Sequence, residues 1–231
     1  MKRLGLIGGV SPESTEIYAR LFNRTARARL GGERSANFIV WHLDYGRMID
    51  LYRAGDWGGY SAELVLAAKG LERAGADAVM IGSNKSHLGA EAVSREVAIP
   101  LIHVIDALAA ALTAAGARSP LFLGTPVTMS GPFYQKDLRE RFSGAAVIPP
   151  AADQHEIGRI IFDELCLGVV SKASKAALLD CISRHRQADG VILGCTELSM
   201  ILSQDDCALP VFDTTALHAA AGMTFALGGE L

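Results

Sequence analysis

The stretch ADGVILGC at residues 188–195 decides the fold, because it nearly repeats the stretch ADAVMIGS at residues 76–83. Two more pairs of segments match in the same order, at spacings of 110 and 116 residues against 112 for the first pair. These pairs are AIPLI (98–102) with ALPVF (208–212), and the Gly8 turn and Tyr18 with the Gly124 turn and Tyr134. Three matches at a nearly constant long spacing predict two similar halves, not a short-period solenoid.

Short apolar runs alternate along the chain with longer stretches in which apolar residues recur at helical spacing. The strand-like runs are 4–7, 38–41, 78–81, 121–123 and 191–193, and the helix-like stretches include 13–29, 61–73 and 157–167. This alternation predicts an α/β fold of two similar three-layer domains with mainly parallel sheets. The first domain is predicted to comprise residues 1–112 and 213–231, with a closing helix after Asp213, and the second residues 113–212.

Composition excludes several classes of function. The chain has 231 residues and a formal net charge of -3, so it offers no basic field to a nucleic-acid backbone. Its four cysteines lack CxxC spacing, and His42, His103 and His218 are scattered singly, so no metal site is predicted. No stretch is long and apolar enough for a membrane span, and the free thiols predict a cytoplasmic protein.

Each half ends a strand-like run with polar side chains, Ser83 and Asn84 in the first and Cys195 and Thr196 in the second. Open parallel sheets bind ligands at this edge, and a following helix N-terminus favours a substrate carboxylate and lowers the pKa of a thiol. Two acid–base groups on opposite sides of a substrate suit inversion of a carbon next to a carboxylate. We therefore predict an active site in the cleft between the domains, with Cys195 and Ser83 facing each other.

The motif GCTEL at residues 194–198, after an apolar strand, resembles the second catalytic motif of the aspartate/glutamate racemase family. The opening LIGGVSPEST (6–15) is similar to that family's first strand and loop, and so are IFDELCLG (161–168) and PVFDT (210–214). The resemblance runs nearly end to end. It implies two α/β domains related by a pseudo-twofold axis, no pyridoxal phosphate or other cofactor, and a homodimer.

The same resemblance implies a set of substrate contacts. Asn84 and Thr196 would hold the α-carboxylate of the substrate together with nearby backbone amides. Thr125 and Thr128 belong to the strand-end layer of the second half, and Ser11 lies in the first such loop, so all three would contact substrate.

Four further polar residues have both a functional and a structural interpretation. His87 and Glu197 follow the two strand-end turns and would orient or tune the acid–base groups, or else cap their helices. Arg47, after the second strand, would bind a side-chain carboxylate bidentately or remain a solvated arginine. Lys172, at the start of a helix-like segment, has the same two interpretations.

The chain departs from the family at the first catalytic motif. The family commonly has Cys-Asn-Thr-x-His there, whereas residues 83–87 read SNKSH. Some relatives with threonine at the first position are similar to racemases acting on L-amino acids, so a hydroxyl is compatible with the activity. A hydroxyl is a weaker acid than a thiol and needs an activating neighbour. Lys85 could supply that help, act as the base itself, hold a substrate carboxylate or project into solvent.

The predicted function is that of a cofactor-independent amino-acid racemase acting on an aspartate-like or glutamate-like substrate. Cys195 would serve one face of the substrate and Ser83, aided by Lys85, the other. Two alternatives remain. One is a single-cysteine decarboxylase or isomerase of the same fold, which needs no base on the second face. The other is a catalytically degenerate relative that binds a dicarboxylate.

Overall fold

The computed structural model describes residues 1–229 and divides the chain into two compact units. The first unit comprises Met1–Val104 and the chain from His218 onward, and the second comprises Ile105–Leu217. The last two residues of the predicted range 213–231 lie outside the described part of the chain. The boundary expected between residues 112 and 113 falls inside a helix whose first residue, Val104, closes the first unit.

The first unit contains a parallel sheet with the strand order β2-β1-β3-β4. Its elements are β1 (Leu4–Gly8), α1 (Pro12–Leu30), β2 (Phe38–His42), α2 (Tyr45–Ala54), α3 (Trp57–Arg73), β3 (Ala78–Ile81), α4 (Ala90–Glu96) and β4 (Leu101–Ile102). A 3-10 turn, Lys85–Gly89, leads from β3 into α4. The strand-like runs of the sequence are therefore strands in the structure, and the stretches 13–29 and 61–73 lie within α1 and α3.

Side chains alternate across a strand, so both faces of the first unit's sheet carry apolar side chains. Helices cover both faces. Ile7, Val79 and Ile81 pack on one face with buried residues of α2, α3 and α4. Leu6 and Met80 pack on the other face with buried residues of α1 and of the C-terminal helix. This unit therefore has the three layers that the sequence predicted.

The second unit also contains a parallel sheet, with the strand order β5-β6-β7. Its elements are α5 (Val104–Ala114), β5 (Leu121–Leu123), α6 (Pro126–Ser130), α7 (Pro132–Arg141), α8 (Ala151–Arg159), α9 (Lys172–Arg184), β6 (Val191–Leu193) and β7 (Val211–Asp213). The helix α10 (Thr214–Ala226) begins in this unit and continues into the first. An isolated parallel bridge joins Leu121 to Val147 on the side of β5 away from β6.

The two halves of the internal sequence repeat also pair their strands in the same register. Ile7 lies opposite Ile81 between β1 and β3, and Leu123 lies opposite Leu193 between β5 and β6. The turn that follows is fixed in the same way in both units. The Gly82 N–H donates to the Ile7 carbonyl over 2.9 Å, and the Gly194 N–H donates to the Leu123 carbonyl over 2.7 Å.

The Ala-Asp pair shared by the two halves has a structural cause. The carboxylate of Asp77 accepts the backbone N–H of Arg3 over 2.6 Å, at the entry of β1. The carboxylate of Asp189 accepts the backbone N–H groups of Arg118 and Ser119 at the entry of β5. Each aspartate thus joins the starts of two neighbouring strands, so the repeat extends beyond the apolar core.

The helix expected over residues 157–167 has a different form in the structure. The helix α8 already begins at Ala151, continues as a π-helical turn over Ile160–Glu164, and ends in a 3-10 turn over Leu165–Leu167. Arg159 pairs with Glu164 across the π-helical turn over 2.7 Å. The other carboxylate oxygen of Glu164 accepts the hydroxyl of Ser174 over 2.6 Å, which holds the turn against α9.

Candidate active site

Ser83 lies in a buried turn at the carboxyl edge of the first sheet, directly after Gly82. We call residues 83–87 the Ser83 turn. The hydroxyl of Ser83 accepts the backbone N–H of Ser86 over 3.3 Å, and its carbonyl contacts Nδ1 of His87 over 2.8 Å. All five side chains of the turn are buried, including that of Asn84. The turn is therefore folded back on itself, with its polar groups held within the protein.

His87 holds the backbone of this turn in place through both of its ring nitrogens. Its Nε2 accepts the backbone N–H of Val104 over 3.2 Å, so Nδ1 carries the proton and donates it to the Ser83 carbonyl. The ring also packs 4.5 Å from His103 and 5.6 Å from His218, measured between ring centres. With both nitrogens engaged, His87 orients the backbone of the turn and does not contact the Ser83 hydroxyl through either bond.

His218 is buried beside His87 and has two satisfied ring nitrogens. Nε2 donates to the Ile102 carbonyl over 2.8 Å, and Nδ1 accepts the Tyr18 hydroxyl over 2.7 Å. The pKa of His218 is lowered to about 4, mainly by burial; the hydrogen bond to the Ile102 carbonyl opposes this shift and His103 adds to it. The histidine is therefore neutral at pH 7 and serves as a core residue, as its isolated position in the sequence suggested.

Lys85 is buried, with 7% of its surface exposed, and therefore does not project into solvent. Its Nζ lies 4.2 Å from the centre of the Tyr52 ring, on α2. The neighbouring Ser86 hydroxyl shares a hydrogen bond of 2.8 Å with the hydroxyl of Tyr60, on α3. Burial raises the pKa of Tyr60 to about 12, although its bond to Ser86 opposes that shift. Two helices thus place tyrosines against the Ser83 turn.

Ser11 caps the first helix of the first unit. Its hydroxyl accepts the N–H of Ser14, and its carbonyl accepts the hydroxyl of Thr15. The Ser14 hydroxyl donates to the carbonyl of Gly82, immediately before the Ser83 turn. The loop of Ser11 is thereby fastened to the Ser83 turn. Its side chain has a capping role.

Cys195 occupies the matching turn of the second unit, after Gly194. We call residues 195–199 the Cys195 turn. The thiol is buried, with 9% of the residue exposed, and Sγ donates to Oε2 of Glu197 over 2.9 Å. The hydroxyl of Thr196 donates to the same oxygen over 2.6 Å. One carboxylate oxygen therefore receives both donors, and Glu197 orients the thiol directly.

The electrostatic environment of Cys195 differs from the sequence-based expectation. The pKa of Cys195 is raised well above its usual value, first by burial, then by the Glu197 carboxylate and by Cys166. The expected lowering of the pKa by a helix N-terminus is therefore wrong, because a five-residue 3-10 turn, Thr196–Met200, follows the cysteine and a carboxylate faces it. At rest the residue is a thiol that can give a proton.

The neighbouring strand end of the second unit contributes Thr125 and Thr128. Their hydroxyls lie 3.1 Å apart, and the Thr128 hydroxyl donates to the Thr125 carbonyl over 2.9 Å. Both are buried, and Gly124 lies against the carbonyl of Gly194, so this layer adjoins the Cys195 turn. The threonines are thus brought to the same sheet edge as Cys195, with their hydroxyls bonded to each other.

The two cations proposed for carboxylate binding lie in exposed places. Arg47, in α2, is 62% exposed and forms an ion pair of 2.6 Å with Glu63. Lys172 is exposed at the start of α9. Contact of Arg47 with a substrate would require it to leave Glu63. Within residues 1–229, no side-chain hydrogen bond holds Arg47 or Lys172 against the Ser83 turn or the Cys195 turn.

Sequence reasoning missed the tyrosines and one cysteine. Tyr52 and Tyr60 contact the Ser83 turn from α2 and α3. Cys166, in the 3-10 turn packed against the Cys195 turn, is close enough to raise the pKa of Cys195. No local motif marks the two tyrosines, since each reaches the Ser83 turn through the fold. Cys166 did lie within the quoted motif 161–168, which was a signal.

Residues 1–229 contain neither a metal-binding cluster nor a membrane-spanning helix. No cluster of three histidine, cysteine, aspartate or glutamate side chains there could hold a metal ion. Within the same residues, no helix combines the length and the apolar character needed to cross a membrane.

The two α/β units share one strand register, and Ser83 in one and Cys195 in the other follow the glycine after a central strand. This arrangement fits the fold class of the two-domain α/β racemases. The chain belongs to the Asp/Glu/Hydantoin racemase family, whose sequence profile matches residues 7–222. The resemblance seen in the motifs is therefore confirmed. The mainly parallel α/β fold is confirmed as well.

Individual relatives agree with this assignment. The chain is 23% identical over 220 residues to the broad specificity amino-acid racemase RacX of Bacillus subtilis (strain 168), covering 94% of each chain. A Yersinia pestis crystal structure classed with the Asp/Glu racemases superposes with a TM-score of 0.91, at 38% identity over 98% of this chain and 100% of that one. An aspartate racemase homologue from Pyrococcus horikoshii OT3 gives 0.87, at 34% identity and the same coverage.

Proposed function

We propose that the protein is a cofactor-independent amino-acid racemase acting on aspartate-like or glutamate-like substrates by proton transfer on both faces of Cα. The observation that carries the proposal is the equivalent position of Ser83 and Cys195, each directly after the glycine that follows a central strand. Family membership and the similarity to an amino-acid racemase support it. In this proposal the two turns act on opposite faces of one substrate.

Cys195 would deliver a proton to one face of the substrate. Its raised pKa keeps the thiol protonated near neutral pH, which suits a proton donor. In the opposite direction, the thiol must first lose its proton to become a base. Glu197 already accepts the hydrogen bond from Sγ, so its carboxylate is the acceptor for that proton. We assign Cys195 as the acid–base group and Glu197 as its proton partner.

Ser83, aided by Lys85, would serve the other face. A serine hydroxyl is too weak an acid to act alone and needs a neighbour that stabilises the ionised form. Lys85 follows two residues later in the same buried turn and brings a cation to this half of the site. The arrangement pairs a weak acid with a positive charge, where the second unit pairs a stronger acid with a negative one.

The substrate carboxylates would be held by the polar groups around both turns. We propose Asn84 and Thr196 for the α-carboxylate, with Ser11, Thr125 and Thr128 as neighbouring contacts at the two sheet edges. The Thr196 hydroxyl must exchange Glu197 for the substrate to donate to it. Arg47 and Lys172 remain proposed ligands of a side-chain carboxylate, each after movement toward the site. The proposal also includes a cytoplasmic homodimer, which the family resemblance implies.

The experiment that tests this function is α-proton exchange in heavy water without added cofactor. Purified protein is incubated with L- and D-amino acids, including aspartate and glutamate, and the products are separated by chirality. Deuterium incorporation with inversion is the expected result, and its loss in Cys195→Ala links it to the site. Cys207→Ala, in a half-buried cysteine outside both turns, is the matched control. Absence of exchange across the panel would contradict the proposal.

A second candidate function is favoured by the contacts of Ser83. His87 bonds the carbonyl of Ser83, and the Ser83 hydroxyl accepts a backbone N–H. Among residues 1–229, no basic side chain is hydrogen-bonded to this hydroxyl. If Ser83 takes no part, Cys195 protonates a carbanionic intermediate on one face, as a decarboxylase or isomerase would require. Exchange with retention of configuration in the same experiment would favour this candidate. Ligand binding without any exchange would indicate a degenerate dicarboxylate-binding protein.

A further inference from the structure

Lys85 combines deep burial with a defined neighbour on another helix. Only 7% of the residue is exposed, yet its ammonium lies 4.2 Å from the centre of the Tyr52 ring. Burying a charge is costly unless other groups compensate for the lost water. The face of an aromatic ring attracts a cation, and the attraction is stronger in a desolvated place than on the surface.

Tyr52 is itself held in place at the corner between α2 and α3. Its ring packs edge to face against Trp57, the first residue of α3, with ring centres 5.7 Å apart and planes at 71°. Gly55, in the left-handed conformation at φ 68°, ends α2, and Asp56 caps α3. Burial raises the pKa of Tyr52, so the phenol remains neutral and the ring keeps one electrostatic character. The corner thus presents a fixed aromatic face to Lys85.

We infer that Tyr52 is a positioning residue for Lys85 and stabilises its positive charge in the Ser83 half of the site. The ring favours the ammonium over the neutral amine, so Lys85 works as a cation that stabilises negative charge beside Ser83. It does not remove a proton itself. This inference deepens the proposed function and rests on it, since it gives Lys85 one of the several roles that the sequence allowed.

The equivalent residue of the second unit supports a charge-based role. Glu197 lies 112 positions after Lys85, the spacing of the matched strands, and faces Cys195 with a carboxylate. The two strand-end turns therefore carry opposite charges at one repeat position. A substrate anion would be attracted by the cationic turn, while the anionic turn would accept a proton from the thiol.

Three variants separate positioning from plain packing. Tyr52→Phe keeps the ring, Tyr52→Leu removes it, and Lys85→Met removes the cation. We expect kcat/KM for α-proton exchange to change less than about 2-fold in Tyr52→Phe and to fall about 10-fold in Tyr52→Leu. In a Lys85→Met background, Tyr52→Leu should have no further effect, because interacting residues give non-additive losses. An additive loss would overturn the inference.

A measurement that needs no turnover tests the charge of Lys85 directly. Trace acetylation with acetic anhydride at a series of pH values, followed by peptide mass spectrometry, reports when each amine becomes neutral. Lys69 and Lys175, which form surface ion pairs with Glu96 and Asp206, are internal references. The titratable side chains around the turn include Tyr52, Tyr60 and His87, together with His103 and His218, which pack on His87.

We expect the pH of half-maximal labelling of Lys85 to move lower in Tyr52→Leu and to stay unchanged in Tyr52→Phe, relative to the references. Using the midpoint of labelling, and not its rate, separates charge from access. If the midpoint is equal in all three proteins, the inference is wrong even when the enzyme racemises amino acids. If the midpoint moves but wild-type protein exchanges no α-proton, the inference stands and the proposed function fails.

Discussion

The Ser83 turn and the Cys195 turn occupy the same place in two sheets of matching register, yet they bury side chains of opposite charge. The first buries a cation, Lys85, over an aromatic ring, and the second buries a carboxylate, Glu197, that accepts a thiol and a hydroxyl. The repeat has kept the backbone while the charge at one position has reversed. This difference indicates that the two turns would have unequal tasks in the proposed proton transfer.

The hydrogen bonds of the two turns lead to the same conclusion. The Ser83 hydroxyl acts as an acceptor, from the N–H of Ser86, whereas the Cys195 thiol acts as a donor, to Glu197. A donor already aligned with a carboxylate can exchange its proton without rearrangement. We therefore expect changes in the Cys195 turn to reduce turnover more than equivalent changes in the Ser83 turn.

Replacement of Cys195 by alanine should have the largest effect on activity. Loss of a positioned acid–base group costs on the order of 100-fold to 10,000-fold, and no other thiol belongs to the turn. We expect kcat for α-proton exchange to fall within that range while the melting temperature changes little. The matched variant Ser83→Ala should lose less. An equal loss in both variants would break the asymmetry proposed for the two turns.

Replacement of Glu197 by glutamine tests the carboxylate of the Cys195 turn. The Glu197 charge is one cause of the raised pKa of Cys195, so its removal should lower that pKa and leave burial as the main raising cause. Alkylation of Cys195 by iodoacetamide should then begin at lower pH than in the wild type. Turnover should nevertheless fall, roughly 10-fold to 100-fold, because the proton acceptor is gone.

The control for this variant is Thr196→Val, which removes the second donor to Glu197 and leaves the charge in place. Its alkylation curve should stay close to that of the wild type. If Glu197→Gln shifts the curve to higher pH, the carboxylate does not act on the thiol in the way described.

Most of the fold was predictable from the sequence, because the repeat constrains it twice. The strands that end at Ile81 and Leu193 were found from their apolar runs, and the turn residues Ser83 and Cys195 from their place after a glycine. The pKa shift of Cys195 was not predictable, since the burial of its thiol and the position of the Glu197 carboxylate depend on tertiary packing. The partner of Lys85 was equally hidden, because Tyr52 is distant in sequence and lies on another helix.

His218, which packs on His87 behind the Ser83 turn, should make the stability of the first unit sensitive to acid. Burial lowers the pKa of His218 from 6.5 to about 4, so the folded state favours the neutral ring. This contribution to stability is present above pH 6.5 and is lost as the pH falls toward 4, because the unfolded state takes up the proton first. From pH 7 to pH 5, the unfolding free energy should fall by about 2 kcal/mol from this group.

Urea unfolding at both pH values measures this effect. His218→Gln should be less stable at pH 7 and should lose less of its remaining stability on acidification. His42→Gln, at an exposed histidine of the same unit, serves as the control and should behave like the wild type. If the unfolding free energy of His218→Gln depends on pH as that of the wild type does, His218 is not the cause of the acid sensitivity.

The smallest expected effect compares the two aspartates that open the repeated strands. Asp77 accepts one backbone N–H, from Arg3, whereas Asp189 accepts those of Arg118 and Ser119. A hydrogen bond to a charged group contributes about 1.5 kcal/mol when shielded and less when exposed. Asp77→Ala should therefore cost about 1 kcal/mol and Asp189→Ala about 2 kcal/mol. Native-state hydrogen exchange should show the losses at β1 in the first variant and at β5 in the second, whereas equal losses would mean that the second unit gains nothing from its additional bonds.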